Sequence, residues 1–291
     1  MVSTILLGAN IISMAGDTNQ KENFLPQIAD GKLLVALAAD EKNHHQPLHV
    51  KTSATKNENG YLINGKKIFV LDGHTANQII ILARTSGDIN DSKGLSFFIV
   101  DTATSGINIE RTINMDSRNA ANITFDNLQV SVSALLGNEG EASSILEKVL
   151  DIARVGLSAE MLGMMLEAFE RTMTYLKERQ QFGVTIGSFQ ALQHRSAQMF
   201  CEIELCKSLV LKSLQAIDSD SKRLPIYASM TKAKVGATLK LVSNEGVQMF
   251  GGIGMTDDEE IGFFLKRARV AQQTFGDSNY HLDRYSKLNG Y

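Results

Sequence analysis

Two hydrophobic periodicities divide the chain. In its first half, apolar residues occur in short or alternating runs, which are typical of strands. In its second half they recur three and four residues apart, which is typical of amphipathic helices. The first stretch also shows helical patterns, and its apolar run predicts a packed helix ending at Gly16. We predict three domains from these changes: an N-terminal helical segment at 1–32, a β-domain at 33–132 and a C-terminal helical domain at 133–291.

The middle domain contains several predicted strands and few helical patterns. Turn signals such as NENG and SGDINDSKG separate the strands, and Asn64-Gly65 predicts a hairpin. Strands without intervening helices favour a β-barrel or a sandwich over a sheet of βαβ units. The predicted strands are LLVALAA, YLINGKKIFVL, NQIIILART, LSFFIVDT, GINIERT and NITFDNLQV.

The last domain contains long amphipathic runs joined by short loops, which predicts a four-helix bundle. Ser188 is a predicted N-cap of the second helical run, and Pro225 lies near the start of the third, where proline is favoured. The fourth run is acidic at its start and basic later, as the helix dipole favours. The predicted fold class is therefore α+β: partial N-terminal helices, a central β-barrel or sandwich, and a C-terminal four-helix bundle.

Composition excludes several classes of function. Lys+Arg is 29 against Asp+Glu 32, a net charge of −3, which gives no basic surface for nucleic acid. Cys201 and Cys206 lack a C-x-x-C spacing, so no metal site is predicted and a reducing, cytoplasmic location fits. The apolar N-terminus is too short to span a bilayer, and no basic residue precedes it as in a signal peptide.

The residues by themselves name no reaction. His44 and His45 are adjacent, so on a strand they point to opposite faces, and a solvated loop is the better interpretation than a metal pair. The GGIG stretch follows a helix, not a strand, so it is no dinucleotide fingerprint. It is either a helix–helix turn or a place where backbone N–H groups approach a phosphate or a ring.

Two longer motifs resemble the acyl-CoA dehydrogenase family. RQQFGVTIGSFQALQHRSAQM is similar to its C-terminal signature, and EGVQMFGGIGMTDDEEIGFFLKRAR is similar to its other bundle motif. FLPQIADGKLLVALAADE and ENGYLINGKKIFVLDG resemble the entry to its β-domain. The resemblance implies α,β-dehydrogenation of an acyl-CoA thioester with FAD, in fatty acid or sterol catabolism.

The resemblance also implies where ligands bind. The family holds FAD between the β-domain and the bundle, with the adenine end reaching a neighbouring subunit. An arginine fork suits phosphate oxygens, and glycine lets the backbone approach closely. The implied FAD contacts are Arg179, Gln181, Phe182, Gln190, Gln248, Gly251, Gly252 and Ser278. Asp151 and Arg154 match a family pair for the CoA thioester, although each also fits a charge pair on a helix surface.

The chain departs from the family at both segments that touch the flavin ring. The first usually reads Thr-Glu-Pro-x-Ala-Gly-Ser, whereas here it is Asp40 to Gln46 and only Glu41 agrees. The second usually reads Trp-Ile-Thr/Ser-Asn, whereas here it is Phe69 to Asp72. Leu71 replaces the hydroxyl and has no polar atom to offer.

The usual base is missing as well. Removal of the proton α to the thioester requires a carboxylate, and the family's glutamate aligns with Phe275. The position that some relatives use instead is Ala153. Asp277 is a weak candidate that we expect to cap the last helix. The catalytic residue is therefore unknown.

These departures leave three hypotheses open: a dehydrogenase of unusual substrate range, a non-catalytic or half-site subunit, and a degenerate scaffold. The surviving adenosine-side motifs favour the half-site subunit. In that case the chain would form a homo-oligomer (dimer or tetramer) or pair with a catalytic paralogue. Electrons from the reaction would pass to an electron-transfer acceptor. The N-terminal helices are also fewer than in relatives, so we expect a misplaced start, a fragment, or a pocket that is open or completed by a partner.

Overall fold

The structure is a computed structural model that describes residues 2–291. The chain forms two compact units, Met1–Ala153 and Arg154–Tyr291. This division tests neither the domain boundary predicted after residue 32 nor the one predicted after residue 132. Both stay predictions.

The first unit begins with helices, as the sequence predicts. A π-helix over Val2–Ala9 continues into α1, Asn10–Ala15, and Gly16 follows as its C-cap. The next helix, α2, spans Thr18–Ala29 and starts with a capping box in which Asp17 and Gln20 bond each other's backbone N–H groups.

A mixed sheet follows these helices in the same unit. Its strands pair in the order β6-β7-β3-β2-β4-β5-β8, with β1 parallel to β4. Within the described residues no pairing joins the end strands β6 and β8, so a closed barrel is not shown. The strands are β1 (Val35–Ala38), β2 (Ser53–Asn57), β3 (Gly60–Leu71), β4 (Gln78–Arg84), β5 (Leu95–Asp101), β6 (Ile107–Ile113), β7 (Asn119–Val130) and β8 (Leu135–Leu136).

The hairpin prediction at Asn64-Gly65 is wrong. These residues lie inside β3, where the register with β7 shifts between Ile63 and Gly65. Gly65 has φ 152°, and a Cβ atom there would lie 2.4 Å from Oγ1 of Thr52, so the glycine provides space for that neighbour. The actual hairpin joins β2 to β3 one turn signal earlier, with Asn57 opposite Gly60.

The second unit is helical. Its helices are α3 (Ala142–Glu178, which begins in the first unit), α4 (Gln190–Ser219), α5 (Leu224–Phe250), α6 (Ile261–Gln273) and α7 (Ser278–Leu288). α5 packs against α4, α6 and α7. A short hairpin of β9 (Gln180–Gln181) and β10 (Val184–Thr185) separates α3 from α4. None of the helices described for residues 2–291 has the length and apolarity that a membrane span requires.

Arg84 ties two loops of the first unit together. Its guanidinium is buried at the end of β4 and donates to carbonyl oxygens of Leu48, Val50, Ser86, Ile89, Asp91 and Lys93 at 2.9–3.5 Å. We expect Arg84→Met to lower the free energy of unfolding by about 2–4 kcal/mol, because several carbonyl groups lose a charged donor. Urea unfolding checks this against Arg111→Met, which removes an exposed arginine from β6. Equal losses in the two variants would contradict this role of Arg84.

Candidate functional site

The turn between α6 and α7 carries the residues that the sequence places at the missing base. Phe275 has φ 60° and is only 8% exposed, so its side chain is buried. Asp277 caps α7 by accepting a hydrogen bond from the Tyr280 N–H at 2.8 Å, which confirms the predicted cap. The carboxylate nearest in sequence to position 275 is therefore engaged as a helix cap.

Three basic side chains from three helices bond to the backbone of this turn. Arg154 of α3 donates from Nε to the carbonyl oxygen of Phe275 at 3.3 Å, and its Nη2 donates to the hydroxyl of Tyr280. His281 of α7 donates from Nε2 to the same carbonyl at 3.0 Å. Lys232 of α5 donates to the carbonyl oxygen of Gly276 at 3.0 Å. All three side chains are buried.

Burial and mutual repulsion shift the pKa values of this group. Burial and the nearby charge of Arg154 together lower the pKa of Lys232 to about 7, against the attraction of Asp277. Burial, together with Arg154 and Lys232, lowers the pKa of His281 to about 2, so its imidazole is neutral at physiological pH. The turn therefore carries positive charge near position 275 and has a neutral histidine beside it.

The sequence patterns did not identify Lys232 or His281 as residues of this site. A signal for Lys232 was present: it follows Ala228 and precedes Val235 and Leu239 at helical spacing, on the buried face of α5. A lysine on an apolar face has to find partners, and here they are backbone carbonyl groups. His281 carried no such signal in the polar stretch around it.

The predicted thioester pair does not reach the surface. Asp151 and Arg154 are both buried, at 1% and 0% exposure. Arg154 contacts the turn at position 275, as given above. A role for the two residues toward a thioester stays a prediction.

The predicted FAD contacts after α3 are exposed. Arg179, Gln181 and Gln190 lie on the surface, the last at the start of α4. Phe182 is 91% exposed with φ 56°, and its ring meets that of Phe189 edge-on at 6.2 Å. An exposed arginine therefore precedes β9, and an exposed aromatic ring lies in the turn between β9 and β10.

The second predicted group lies at the end of α5. Gln248 is exposed, and Gly251 and Gly252 open the short 3-10 helix Gly251–Met255. A Cβ atom at either glycine would meet nothing within 4 Å, so the space in front of the backbone is open to a ligand. Ser278 differs from these glycines because it already has a partner: its hydroxyl donates a hydrogen bond to the Ala233 carbonyl oxygen at 3.2 Å.

The first flavin segment in the first unit is built around a buried ion pair. Lys67 Nζ, fully buried, donates to Glu41 Oε1 at 2.8 Å and to the Ala39 carbonyl at 3.0 Å. The Glu41 carboxylate also accepts from the Lys51 and Thr52 N–H groups and from the Thr52 hydroxyl. Burial lowers the pKa of Lys67 to about 8 against the attraction of Glu41. Burial raises the pKa of Glu41, but Lys67 and these hydrogen bonds bring it below its ordinary value.

The second flavin segment keeps a strained backbone. Phe69 and Asp72 have φ of 52° and 56°, in the left-handed region that non-glycine residues disfavour. Asp72 accepts a hydrogen bond from the Ser3 hydroxyl at 2.5 Å. Backbone strain of this kind collects at functional sites. Here it is present although the side chain of Leu71, between these two residues, has no hydrogen-bonding group.

The residues therefore fit one end of FAD better than the other. An exposed arginine, an exposed aromatic ring and two glycines with open space suit a pyrophosphate and an adenosine. The side chains of Leu71 and Phe275 supply neither a hydrogen bond for a flavin ring nor a base. No group of three or more His, Cys, Asp or Glu side chains in residues 2–291 could hold a metal ion.

Comparison with known proteins agrees with the motifs. Residues 36–128 match the family model for the acyl-CoA dehydrogenase middle domain, and residues 143–287 match the model for its C-terminal domain. An acyl-CoA dehydrogenase of Bacillus subtilis (strain 168) is 32% identical over 272 residues, which cover 91% of this chain and 71% of that protein. Cyclohex-1-ene-1-carbonyl-CoA dehydrogenase of Syntrophus aciditrophicus is 30% identical, and the match covers 90% of this chain but only 64% of the relative's length.

Solved structures agree as well. Butyryl-CoA dehydrogenase of Megasphaera elsdenii superimposes with a TM-score of 0.93 at 29% identity, covering 99% of this chain and 76% of that one. The order of elements, the two motifs and the sequence identity point in the same direction. The chain belongs to the acyl-CoA dehydrogenase family.

Proposed function

We propose that the chain is a half-site subunit of an FAD-dependent acyl-CoA dehydrogenase. In this proposal it contributes the adenosine half of the FAD site and does not remove the substrate proton itself. The observation that carries the proposal is Phe275, a buried side chain without a proton acceptor at the position of the family's base. The substrate is an acyl-CoA thioester, and the reaction is α,β-dehydrogenation.

FAD is proposed from the relatives and from the exposed residues together. A solved structure described as an FAD complex of PigA matches with a TM-score of 0.94 at 25% identity, covering 99% of this chain and 76% of that one. When bound, FAD would accept the hydride that leaves the β-carbon of the thioester. Arg179 would pair with the pyrophosphate, and Gln181 and Phe182 would meet the adenosine. Gln190, Ser278 and the residues at Gln248, Gly251 and Gly252 are proposed as further contacts.

The substrate proton needs an acceptor that these positions do not supply. Phe275 and Ala153 have no carboxylate, and Asp277 is engaged as a helix cap. A paralogue that carries the base would complete the reaction. The thioester itself is proposed to lie near Asp151 and Arg154.

Exposed apolar side chains support an assembly. Large apolar residues stand on the surface of the β9–β10 hairpin and α4, among them Phe182, Phe189, Phe200, Leu205, Leu211 and Leu214. Apolar surface of this extent favours association. We propose a dimer or tetramer, or a hetero-oligomer with the catalytic paralogue.

An electron acceptor and a location complete the proposal. A structure described as the electron transferring flavoprotein of Acidaminococcus fermentans matches at a TM-score of 0.94 and 28% identity. We propose an electron-transfer protein as the acceptor, because a reduced flavin has to pass its electrons on, and a cytoplasmic location, which cell fractionation checks. The proposed domains remain 1–32, 33–132 and 133–291.

A scaffold without redox activity is the second candidate, favoured by Leu71 on the flavin segment. The two candidate functions differ in whether the chain helps to bind FAD. A half-site subunit copurifies with FAD when its partner is coexpressed, and a scaffold does not. A visible flavin spectrum of the coexpressed complex decides between them.

Phe275→Glu tests the missing base directly. We expect this variant to exchange the α-proton of an acyl-CoA with D₂O at least about 10²-fold faster than the wild-type chain, because a positioned general base contributes about that factor or more. Mass spectrometry of the thioester measures the exchange. Phe275→Gln is the matched control, with the same shape as glutamate but no base, and it should stay at the wild-type rate.

Turnover of an acyl-CoA by the wild-type chain alone with an artificial acceptor, at a rate that Phe275→Gln leaves unchanged, would overturn the half-site proposal. It would show that the base lies elsewhere in this chain.

A further inference from the structure

The turn that joins α6 to α7 adopts a backbone conformation that side chains disfavour. Phe275 and Gly276 have φ of 60° and 103°. The left-handed region is disfavoured for a non-glycine residue because its Cβ crowds the backbone. A Cβ atom on Gly276 would lie 2.4 Å from Cδ1 of Tyr280, so the turn is also tightly packed. Contacts from outside the turn have to offset this cost.

Lys232 supplies such contacts from the middle of α5. Its ammonium group donates to the carbonyl oxygens of Ala271 at 3.1 Å, Gln272 at 3.0 Å and Gly276 at 3.0 Å. The first two belong to the last turn of α6, where carbonyl groups have no partner within the helix. A positive charge at this end also suits the helix dipole. One ammonium group therefore links the end of α6 to the turn that follows it.

The bonds that Arg154, Lys232 and His281 make to residues 275 and 276 all end on backbone carbonyl oxygens. Lys232 bonds to carbonyl groups alone, and Arg154 and His281 reach the Phe275 carbonyl oxygen, not its ring. None of the three contacts depends on which side chain occupies position 275. The turn can therefore keep its geometry when that side chain changes.

We propose that Lys232 is the positioning residue of this turn and fixes its backbone independently of the side chain at position 275. The proposal rests on the proposed function in one respect: position 275 is where the family's base belongs. A group that takes a proton has to be held to a fraction of an ångström. A backbone that is fixed from outside lets this position carry phenylalanine in one chain and a carboxylate in another.

Hydrogen–deuterium exchange with mass spectrometry tests this in the full chain. We expect Lys232→Met to speed exchange at least about ten-fold in peptides that cover residues 271–281, with little change in peptides from α4. Lys234→Met is the matched control, two residues along α5, where the lysine pairs with Glu202 at the half-exposed surface. It should leave residues 271–281 at the wild-type rate.

An unchanged rate at residues 271–281 in a folded Lys232→Met chain would overturn the proposal, and so would equal acceleration throughout the second unit. If Lys232→Met does not fold, Lys232→Gln replaces it. Its amide keeps a donor, so we expect a smaller acceleration in the same peptides, and no acceleration there would also overturn the proposal. The measurement needs neither FAD nor thioester, so its outcome is independent of the exchange assay on Phe275→Glu.

Discussion

Replacing Glu41 by alanine is expected to lower the free energy of unfolding by about 3–5 kcal/mol, the range for breaking a buried ion pair. Lys67 is fully buried, and Glu41 is its charged partner at 2.8 Å. The substitution also removes the acceptor for the Lys51 and Thr52 N–H groups. Urea unfolding at pH 6 measures the loss, because the pKa of Lys67 in the wild-type pair, about 8, keeps its ammonium group charged at that pH.

Two further variants make this result specific. Asp30→Ala removes the acid of an exposed pair with Lys32, where a loss below about 1 kcal/mol is expected because solvent screens the charges. Combining Glu41→Ala with Lys67→Met removes both charges, and we expect this double variant to recover part of the stability. A loss in Glu41→Ala no larger than that in Asp30→Ala would contradict a structural role for the buried pair.

The second large effect is a loss of stability in acid that depends on His281. Its pKa is lowered to about 2 in the folded chain from an ordinary value of 6.5. Between these two values the unfolded chain binds a proton that the folded chain does not, so stability falls as the pH falls below 6.5. The slope for one such group is about 1.4 kcal/mol per pH unit. Denaturant unfolding between pH 6.5 and 4.5 measures it.

His281→Gln isolates this contribution. A glutamine amide can still donate toward the Phe275 carbonyl but does not titrate, so we expect a shallower loss of stability in acid than in the wild type. His44→Gln is the control, because His44 is exposed and its removal should leave the wild-type slope. Equal slopes for wild type and His281→Gln would show that His281 takes up its proton in the folded chain as readily as in the unfolded one.

The sequence predicted most long elements because periodicity is a local property. The helices after residue 142 and the apolar strands such as β4 and β5 were found in this way. β2 was missed, since most of its residues are polar and exposed and show no apolar alternation. The hairpin prediction at Asn64-Gly65 failed because the residue types alone do not show that Thr52 packs against Gly65 inside a strand.

The sequence by itself determined the order of most long helices and strands, the family motifs, and the absence of a carboxylate at position 275, because each depends only on residue type and spacing. Only the tertiary structure decided that Arg154, Lys232 and His281 meet at one turn, since they come from three helices. It also decided that Glu41 and Lys67 form a buried pair across two segments. Contacts between distant parts of the chain depend on how the elements pack, and neither periodicity nor composition encodes that packing.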